Sequence, residues 1–362
     1  MAEAPFWHLV TRPEPTAAMA PTPARLTLWR DLADRLGKLV SPALAAHLLA
    51  PAEAALGEPL VDPARARASR LANRLTRHLQ TEALRAILNA GIDVCCMKGF
   101  AAAHSLYPDP DLRTFGDIDL LVRPADLPRA IACFKALGFA FRPAPGKPWG
   151  FQSDASLPPL ATADGRCNID LHVHPDAFPA WIALSTDQVF DAAETIAIQG
   201  LTFRVPSAAH ALVLAASNTA KDKMGPYGVR RMIDTVQILD RRADLDWGEV
   251  ERIAATRALG RAVRLFLALG AALGLRFDRA AAGPPPAALI RPPSGPIGRR
   301  LFAALCADWT ALAMAMPGPA TALAREALLC WPPEVAGRLA IRRLAGLAGL
   351  APGAKARRQQ RG

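Results

Sequence analysis

The sequence predicts an α+β protein in which a core of alternating strands and helices lies between helical regions. Residues of the apolar class make up 51% of the chain, and Ala, Leu and Arg dominate its composition, which favours helices. The central stretch instead alternates short apolar strands with helices, whereas the flanking stretches repeat apolar residues at helical spacing. With 362 residues, the chain is long enough for two domains with their own cores.

The first region, residues 1–90, is predicted to be helical. Its clearest helix runs from Pro63 to Asn89, and Gly91 follows as a stop signal. The apolar residues of this helix recur every three or four positions: Leu71, Leu75, Leu79, Leu84, Ile87 and Leu88. A short apolar strand at 92–97 then leads into Lys98-Gly99, where the α/β core begins.

The predicted core spans residues 91–206. Besides the strand at 92–97, it has predicted strands at 117–122, 139–141, 149–153 and 167–173, and predicted helices at 100–106 and 124–137. Segments 195–199 and 202–205 form a hairpin around the turn at Gly200. In the strand at 167–173, Asp170, His172 and His174 share one face, because side chains alternate along a strand.

The region after residue 206 returns to a helical pattern. A helical domain is predicted at 207–282, with helices at 207–221, 230–239, 247–256 and 259–273. Ser207 and Asp246 suit the N-cap positions of two of them. A Pro-rich linker with further helices follows at 283–351, and the basic tail at 352–362 is predicted to be disordered.

The net charge of +11 is concentrated toward the carboxyl end, where eleven basic residues follow Pro284 against three acidic ones. One interpretation is a surface for nucleic acid or another acidic partner. No aromatic interleaving or nucleic-acid motif accompanies these residues, which favours ordinary solvated helix faces instead. Nucleic acid is therefore a possible partner that the sequence does not favour.

Cysteine usage and hydropathy predict a cytoplasmic protein. The six cysteines show neither a CxxC motif nor the spacing of a zinc site, which predicts free thiols in a reducing compartment. The first ten residues lack a basic segment followed by an apolar one, so no signal peptide is expected. No membrane span is expected, because the most apolar segment, residues 259–275, is interrupted by Arg261 and Arg264.

Asp117 and Asp119 are the most informative residues of the chain. In an extended segment their side chains point to the same side, while Ile118 and Leu120 point into a core. Two parallel carboxylates repel each other unless a cation sits between them. Lys98-Gly99 and Arg113, just upstream, carry groups suited to phosphate oxygens. Together these residues predict a site that handles nucleotides.

Three interpretations of Asp117-x-Asp119 compete. A surface loop is the simplest, but the acids adjoin a buried Leu-Leu-Val run, where unpaired charges are unfavourable. Phosphatases of the haloacid dehalogenase type also use Asp-x-Asp, yet their apolar strand precedes the acids, the reverse of the order here. A two-metal nucleotidyl-transfer site requires a third carboxylate on a neighbouring strand. Asp170 can supply it, because its side chain lies on the polar face of the strand at 167–173.

Asp170, His172 and His174 also resemble the first metal motif of amidohydrolases, Asp-Leu-His-Val-His here. Such barrels continue with repeated strand-helix units and more histidines. In this chain the downstream half is helical, with His210 as its one histidine. A metal-dependent hydrolase is thus a weaker alternative.

The motifs of residues 70–275 resemble an uncharacterised bacterial nucleotidyltransferase family of the polymerase-β-like superfamily. The resemblance is carried by Met97-Lys98-Gly99, Tyr107-Pro108-Asp109, Arg113, Asp117-Ile118-Asp119-Leu120-Leu121-Val122, Asp126, Ala130, Leu137-Gly138-Phe139, Ile169-Asp170-Leu171-His172, Val205-Pro206-Ser207, Arg231, Asp234 and Leu245-Asp246-Trp247. It implies a small mixed β-sheet nucleotidyltransferase core flanked by helices.

The resemblance also implies a reaction. Asp117, Asp119 and Asp170 would be the catalytic carboxylates and would hold two Mg²⁺ or Mn²⁺ ions, with a nucleoside triphosphate as co-substrate. A nucleoside monophosphate would pass to an acceptor hydroxyl by in-line displacement at the α-phosphate. The acceptor is left open among a small molecule, a peptide, a protein and an RNA.

The remaining site residues are expected to bind the nucleotide. Lys98 and the Gly99 amide would face the β- and γ-phosphates, Arg113 would clamp another oxygen, and His172 would lie beside Asp170. Superfamily members carry Gly-Ser where this chain has Lys98-Gly99, which leaves the base identity open. A protein of this fold that binds nucleotide without catalysis, as a regulator, is the second function class.

Overall fold

A seven-stranded mixed sheet forms the centre of the protein, described here from a computed structural model. The structure describes residues 6, 7, 10, 23–142, 154–313 and 315–347. The strand order is β3-β4-β5-β2-β1-β7-β6. The strands are β1 (Val94–Met97), β2 (Ile118–Val122), β3 (Ala140–Phe141), β4 (Leu160–Ala161), β5 (Asn168–His172), β6 (Glu194–Ile198) and β7 (Leu201–Val205).

Helices precede, interrupt and follow the sheet, as the predicted α+β class requires. Before and within the sheet they are α1 (Pro23–Leu39), α2 (Pro42–Leu56), α3 (Pro63–Asn89), α4 (Lys98–Ser105), α5 (Leu127–Ala136), α6 (Ala180–Ala183) and α7 (Thr186–Asp191). After it they are α8 (Ala208–Lys221), α9 (Gly228–Arg241), α10 (Trp247–Ala254), α11 (Gly260–Ala272), α12 (Pro296–Thr310), α13 (Pro319–Ala324) and α14 (Pro333–Leu347).

Most local predictions are confirmed. Helix α3 has the predicted bounds, and the hairpin turns at Gln199 and Gly200, whose φ angles of 49° and 76° suit a tight two-residue turn. Ser207 and Asp246 cap their helices by accepting from backbone N–H groups. The predicted strand at 149–153 and the tail at 352–362 lie outside the described residues.

The predicted helix at 124–137 is split. Pro124–Asp126 forms a 3-10 turn, and α5 begins only at Leu127. Pro128 has no backbone N–H to donate to the carbonyl of Pro124, so a continuous α-helix from residue 124 would lack that bond. Helix α4 also differs slightly, beginning at Lys98 rather than at residue 100.

The central strands β1 and β2 are buried on both faces, because helices cover each side of the sheet. Val94, Cys96 and Leu120 join a core with α3, α4 and α5. Cys95 and Leu121, which point the other way, join a larger core. This second core is built from α1, α2 and the helices that follow the sheet. The division of the chain at residues 90, 206 and 282 stays a prediction.

Two further observations concern the environment of the protein. All six cysteines are free thiols. In the described ranges we find no helix with the combined length and apolar character needed to cross a bilayer.

Candidate functional site

The sheet register places two carboxylates side by side. Strands β2 and β5 run parallel, with Asp119 paired to Asp170, so the expected third carboxylate does lie on the neighbouring strand. Asp117 precedes β2 by one residue and is two residues from Asp119. Asp117 and Asp119 lie on the same face of the strand as Leu121, because side chains alternate along it. Leu121 packs in the larger helical core, so the two acids point toward the helices that follow the sheet.

Asp119 is the most enclosed of these acids, with 4% of its surface exposed. Its Oδ1 accepts a hydrogen bond from Lys98 Nζ at 2.5 Å, and His172 Nε2 lies 2.9 Å from the same oxygen. Burial alone would raise the pKa of Asp119, but the Lys98 ammonium and the His172 hydrogen bond outweigh it and hold the pKa below its usual range. Asp119 is therefore an anion at neutral pH, and its Oδ1 already contacts the Lys98 ammonium.

His172 completes a possible metal-binding group. Asp119, Asp170 and His172 each offer one ligand atom, and these atoms lie within 4.8 Å of one another. Burial and the charge of Lys98 lower the pKa of His172, so its ring is neutral at neutral pH. Its Nδ1 is buried and has no hydrogen-bond partner in the described part of the chain. Two carboxylates with a neutral imidazole suit a divalent cation such as Mn²⁺ or Mg²⁺.

Asp117 stands slightly apart from this group. It is half-buried and lines the cavity described below, but it does not belong to the three residues whose ligand atoms cluster. Burial and the negative charge of Asp119 raise the pKa of Asp117. A cation bound between the two acids would remove that repulsion. The predicted set of Asp117, Asp119 and Asp170 thus differs from the clustered set by the exchange of Asp117 for His172.

Lys98 and Gly99 begin helix α4 under unusual constraints. Lys98 has a φ angle of 51°, in the left-handed region that residues other than glycine rarely adopt. A Cβ on Gly99 would lie 2.6 Å from Cβ of Phe115, so glycine is needed for close packing there. The N-cap residue Met97 makes no side-chain hydrogen bond, so no side chain caps the first N–H groups of α4.

Arg113 lies in a different environment from the one expected. Its Nε and Nη2 donate to the two carboxylate oxygens of Asp234 at 2.8 and 2.7 Å, and its Nη1 donates to the carbonyl of Thr114. Tyr107 also donates its hydroxyl to Asp234, at 2.7 Å. The sequence predicts that Arg113 clamps a phosphate oxygen, whereas here its side chain is 5% exposed and paired with Asp234. It ties the loop before β2 to helix α9.

Sequence reasoning missed a second buried ion pair. Asp176, which is 1% exposed, accepts a hydrogen bond from Ser217 Oγ at 2.6 Å and pairs with Lys221. This ion pair connects the end of α8 to the segment after β5. His174, predicted to share the face of Asp170, stacks on Trp181 and lies outside the metal-binding group.

A cavity of about 370 Å³ opens beside the carboxylates. This volume is in the range of small-molecule sites. Its walls come from α4, the segment before β2, one face of α8 and one face of α9. Its charged lining residues are Lys98, Arg113, Asp117, Asp119, Asp222, Arg230, Arg231 and Asp234. Its apolar lining residues include Ala101, Ala102, Leu106, Ala211, Leu214 and Ile238.

The sequence of the chain matches one known family. A profile described as an uncharacterised nucleotidyltransferase matches residues 36–274, which includes the whole sheet and helices α2 to α11. The match begins well before residue 70, where the motif resemblance starts, so part of the amino-terminal helical region is included. Comparison with curated proteins and with solved structures gives no match.

Proposed function

Because this chain belongs to an uncharacterised nucleotidyltransferase family, we propose that it transfers a nucleoside monophosphate from a nucleoside triphosphate to an acceptor hydroxyl. The observation that carries the proposal is the pairing of Asp119 with Asp170 on adjacent parallel strands, where Asp119 also lines a cavity that contains cationic side chains. Pyrophosphate and a proton are the other products. The mixed sheet with helical flanks is consistent with a nucleotidyltransferase fold.

Asp119, Asp170 and Asp117 are the proposed metal ligands and catalytic carboxylates, with His172 adjoining them. A divalent cation, Mg²⁺ or Mn²⁺, would polarise the α-phosphate and lower the pKa of the attacking hydroxyl. The residues fit such an ion, because they offer hard oxygen donors and because the Lys98 ammonium already occupies a cation position on Asp119.

The residues of the site have distinct tasks in the proposed reaction. Asp170 is half-buried whereas Asp119 is almost fully buried, so Asp170 is the carboxylate that we assign to activating the acceptor hydroxyl. Lys98 would transfer its hydrogen bond from Asp119 to a phosphate oxygen as the triphosphate enters. The N–H groups at the start of α4, including that of Gly99, would donate to the same phosphates. Arg113 would act by holding α9 in place.

Incubation with labelled nucleotides tests the proposed activity directly. Each nucleoside triphosphate, labelled at the α-phosphate, is offered with Mg²⁺ or Mn²⁺ and with the small-molecule, RNA or protein fraction of a cell extract. We expect label to enter one fraction with release of pyrophosphate, and only when a divalent cation is present. Nucleotide binding without label transfer in any fraction would favour a regulatory protein instead.

Thermal unfolding tests the metal site. Mg²⁺ or Mn²⁺ with triphosphate should raise the melting temperature, since ligand at a hundredfold its Kd stabilises the folded state by about 2.7 kcal/mol. Asp117→Asn should remove most of this shift. It should leave the free protein at least as stable as wild type, because the substitution removes the repulsion with Asp119.

The control for this measurement is Asp191→Asn, an exposed acid that does not line the cavity. It should keep the full shift. An undiminished shift in Asp117→Asn would show that this carboxylate does not hold the cation that accompanies the triphosphate.

A further inference from the structure

Arg230 is a charged residue of the cavity that the proposed mechanism does not use. It belongs to helix α9, and its guanidinium lines the cavity. Its Nη1 donates to the carbonyl of Thr114 at 3.4 Å, and its Nη2 donates to the carbonyl of Leu39 at 3.1 Å. Its Nε is buried and has no hydrogen-bond partner within the described ranges. The side chain is thus held in place by two neutral groups.

The other cationic side chains of the cavity all have carboxylate partners. Lys98 pairs with Asp119, Arg113 pairs with Asp234, and Arg231 pairs with Asp222. For Arg230 the described residues provide no ion-pair partner. Among the acids of the cavity, Asp117 is likewise left without an ion pair in the part of the chain that the structure describes. Among the described lining residues, Arg230 is therefore a cation, and Asp117 an acid, that makes no ion pair.

Arg230 is half-buried, and a guanidinium that is partly withdrawn from water without an ion-pair partner is unfavourable for the fold. Burial, followed by the neighbouring positive charge of Arg113, lowers the pKa of Arg230 to about 10. The group is still protonated at neutral pH, so its charge is not removed by loss of a proton. Uncompensated charges of this kind are found preferentially at functional sites, where the ligand supplies the opposite charge.

We propose that Arg230 binds the phosphate tail of the nucleoside triphosphate. This inference rests on the proposed function and names a residue of its nucleotide subsite. Arg230, Lys98 and Asp117 all line the same cavity, so a phosphate chain bound in it can contact the guanidinium and a cation held by the acids. A phosphate chain lying between the carboxylate-bound cation and Arg230 would satisfy both uncompensated groups. The planar fork of arginine suits two phosphate oxygens at once.

Isothermal titration with inorganic tripolyphosphate, in the presence and absence of Mg²⁺, tests this assignment independently of the base. We expect Arg230→Gln to bind tripolyphosphate roughly tenfold to a hundredfold more weakly than wild type, as for other charged hydrogen bonds. Affinity for adenosine should be unchanged. Arg230→Lys, which keeps the charge and loses the fork, should show an intermediate loss, and circular dichroism checks that each variant is folded.

The matched control is Arg264→Gln. Arg264 also donates to a backbone carbonyl, that of Ala254, but does not line the cavity, so this variant should bind tripolyphosphate as wild type does. Equal affinity of Arg230→Gln and wild type, absence of tripolyphosphate binding by wild type, or a parallel loss of adenosine binding would each overturn the inference.

The same measurement separates this inference from the proposed function. If wild type fails to transfer label while its binding of tripolyphosphate depends on Arg230, the phosphate site stands and the transferase proposal falls. If wild type transfers label and Arg230→Gln binds tripolyphosphate normally, the assignment of Arg230 falls and the transferase proposal stands.

Discussion

Asp170→Asn is expected to reduce nucleotide transfer by more than about 100-fold while the protein keeps its fold and its affinity for the triphosphate. An amide cannot supply the negative charge that a divalent cation requires, and loss of one such group in a preorganised site typically reduces the rate by roughly 10²- to 10³-fold. The fold should persist, because Asp170 is only half-buried in β5.

Transfer rate and nucleotide affinity have to be measured separately for this variant. Single-turnover transfer of label gives the rate, and titration with the triphosphate and metal gives the affinity. We expect a loss of rate with an affinity close to that of wild type, since Asp119 and Asp117 would still hold a cation for the phosphates. A comparable loss of affinity in Asp170→Asn would mean that this acid serves nucleotide binding rather than the activation of the acceptor.

Asp234→Ala is expected to destabilise the folded state by about 3–5 kcal/mol. The substitution leaves the Arg113 guanidinium enclosed without its carboxylate, and it also leaves the Tyr107 hydroxyl without its acceptor. Breaking one side of a buried ion pair is far more damaging than removing both sides, because the remaining charge has neither water nor a partner. Urea unfolding of wild type and variant gives the difference in the free energy of unfolding.

Two comparisons make this prediction specific. The double variant Arg113→Met with Asp234→Leu should be more stable than Asp234→Ala, because no unpaired charge remains. The pair of Arg30 and Glu58, whose side chains are 59% and 46% exposed, serves as the surface control. Removing Glu58 should change stability by less than about 1 kcal/mol. A similarly small effect of Asp234→Ala would show that the buried network does not stabilise the fold.

Features governed by neighbouring residues were predictable from the sequence. The alternation of side chains along a strand placed Asp117 and Asp119 on one side and gave Asp170 the matching orientation, which the pairing of β2 with β5 agrees with. Helix α3 and the turn at Gly200 follow from helical periodicity and from the preference of glycine for positive φ angles. These rules depend on residues that are close together in the chain, so they can be applied to the sequence without knowledge of the tertiary structure.

The partners of the charged side chains were decided by the tertiary structure alone. Arg113 was predicted to face phosphates because it precedes the acids, yet its partner Asp234 lies 121 residues further along the chain. His172, expected beside Asp170, also meets Asp119 and Lys98, and Arg230 has no motif that would single it out. The physical reason is that an enclosed charge pairs with whichever opposite charge the packing of distant helices brings within reach. That packing depends on the whole hydrophobic core, whereas side-chain facing depends only on the local backbone.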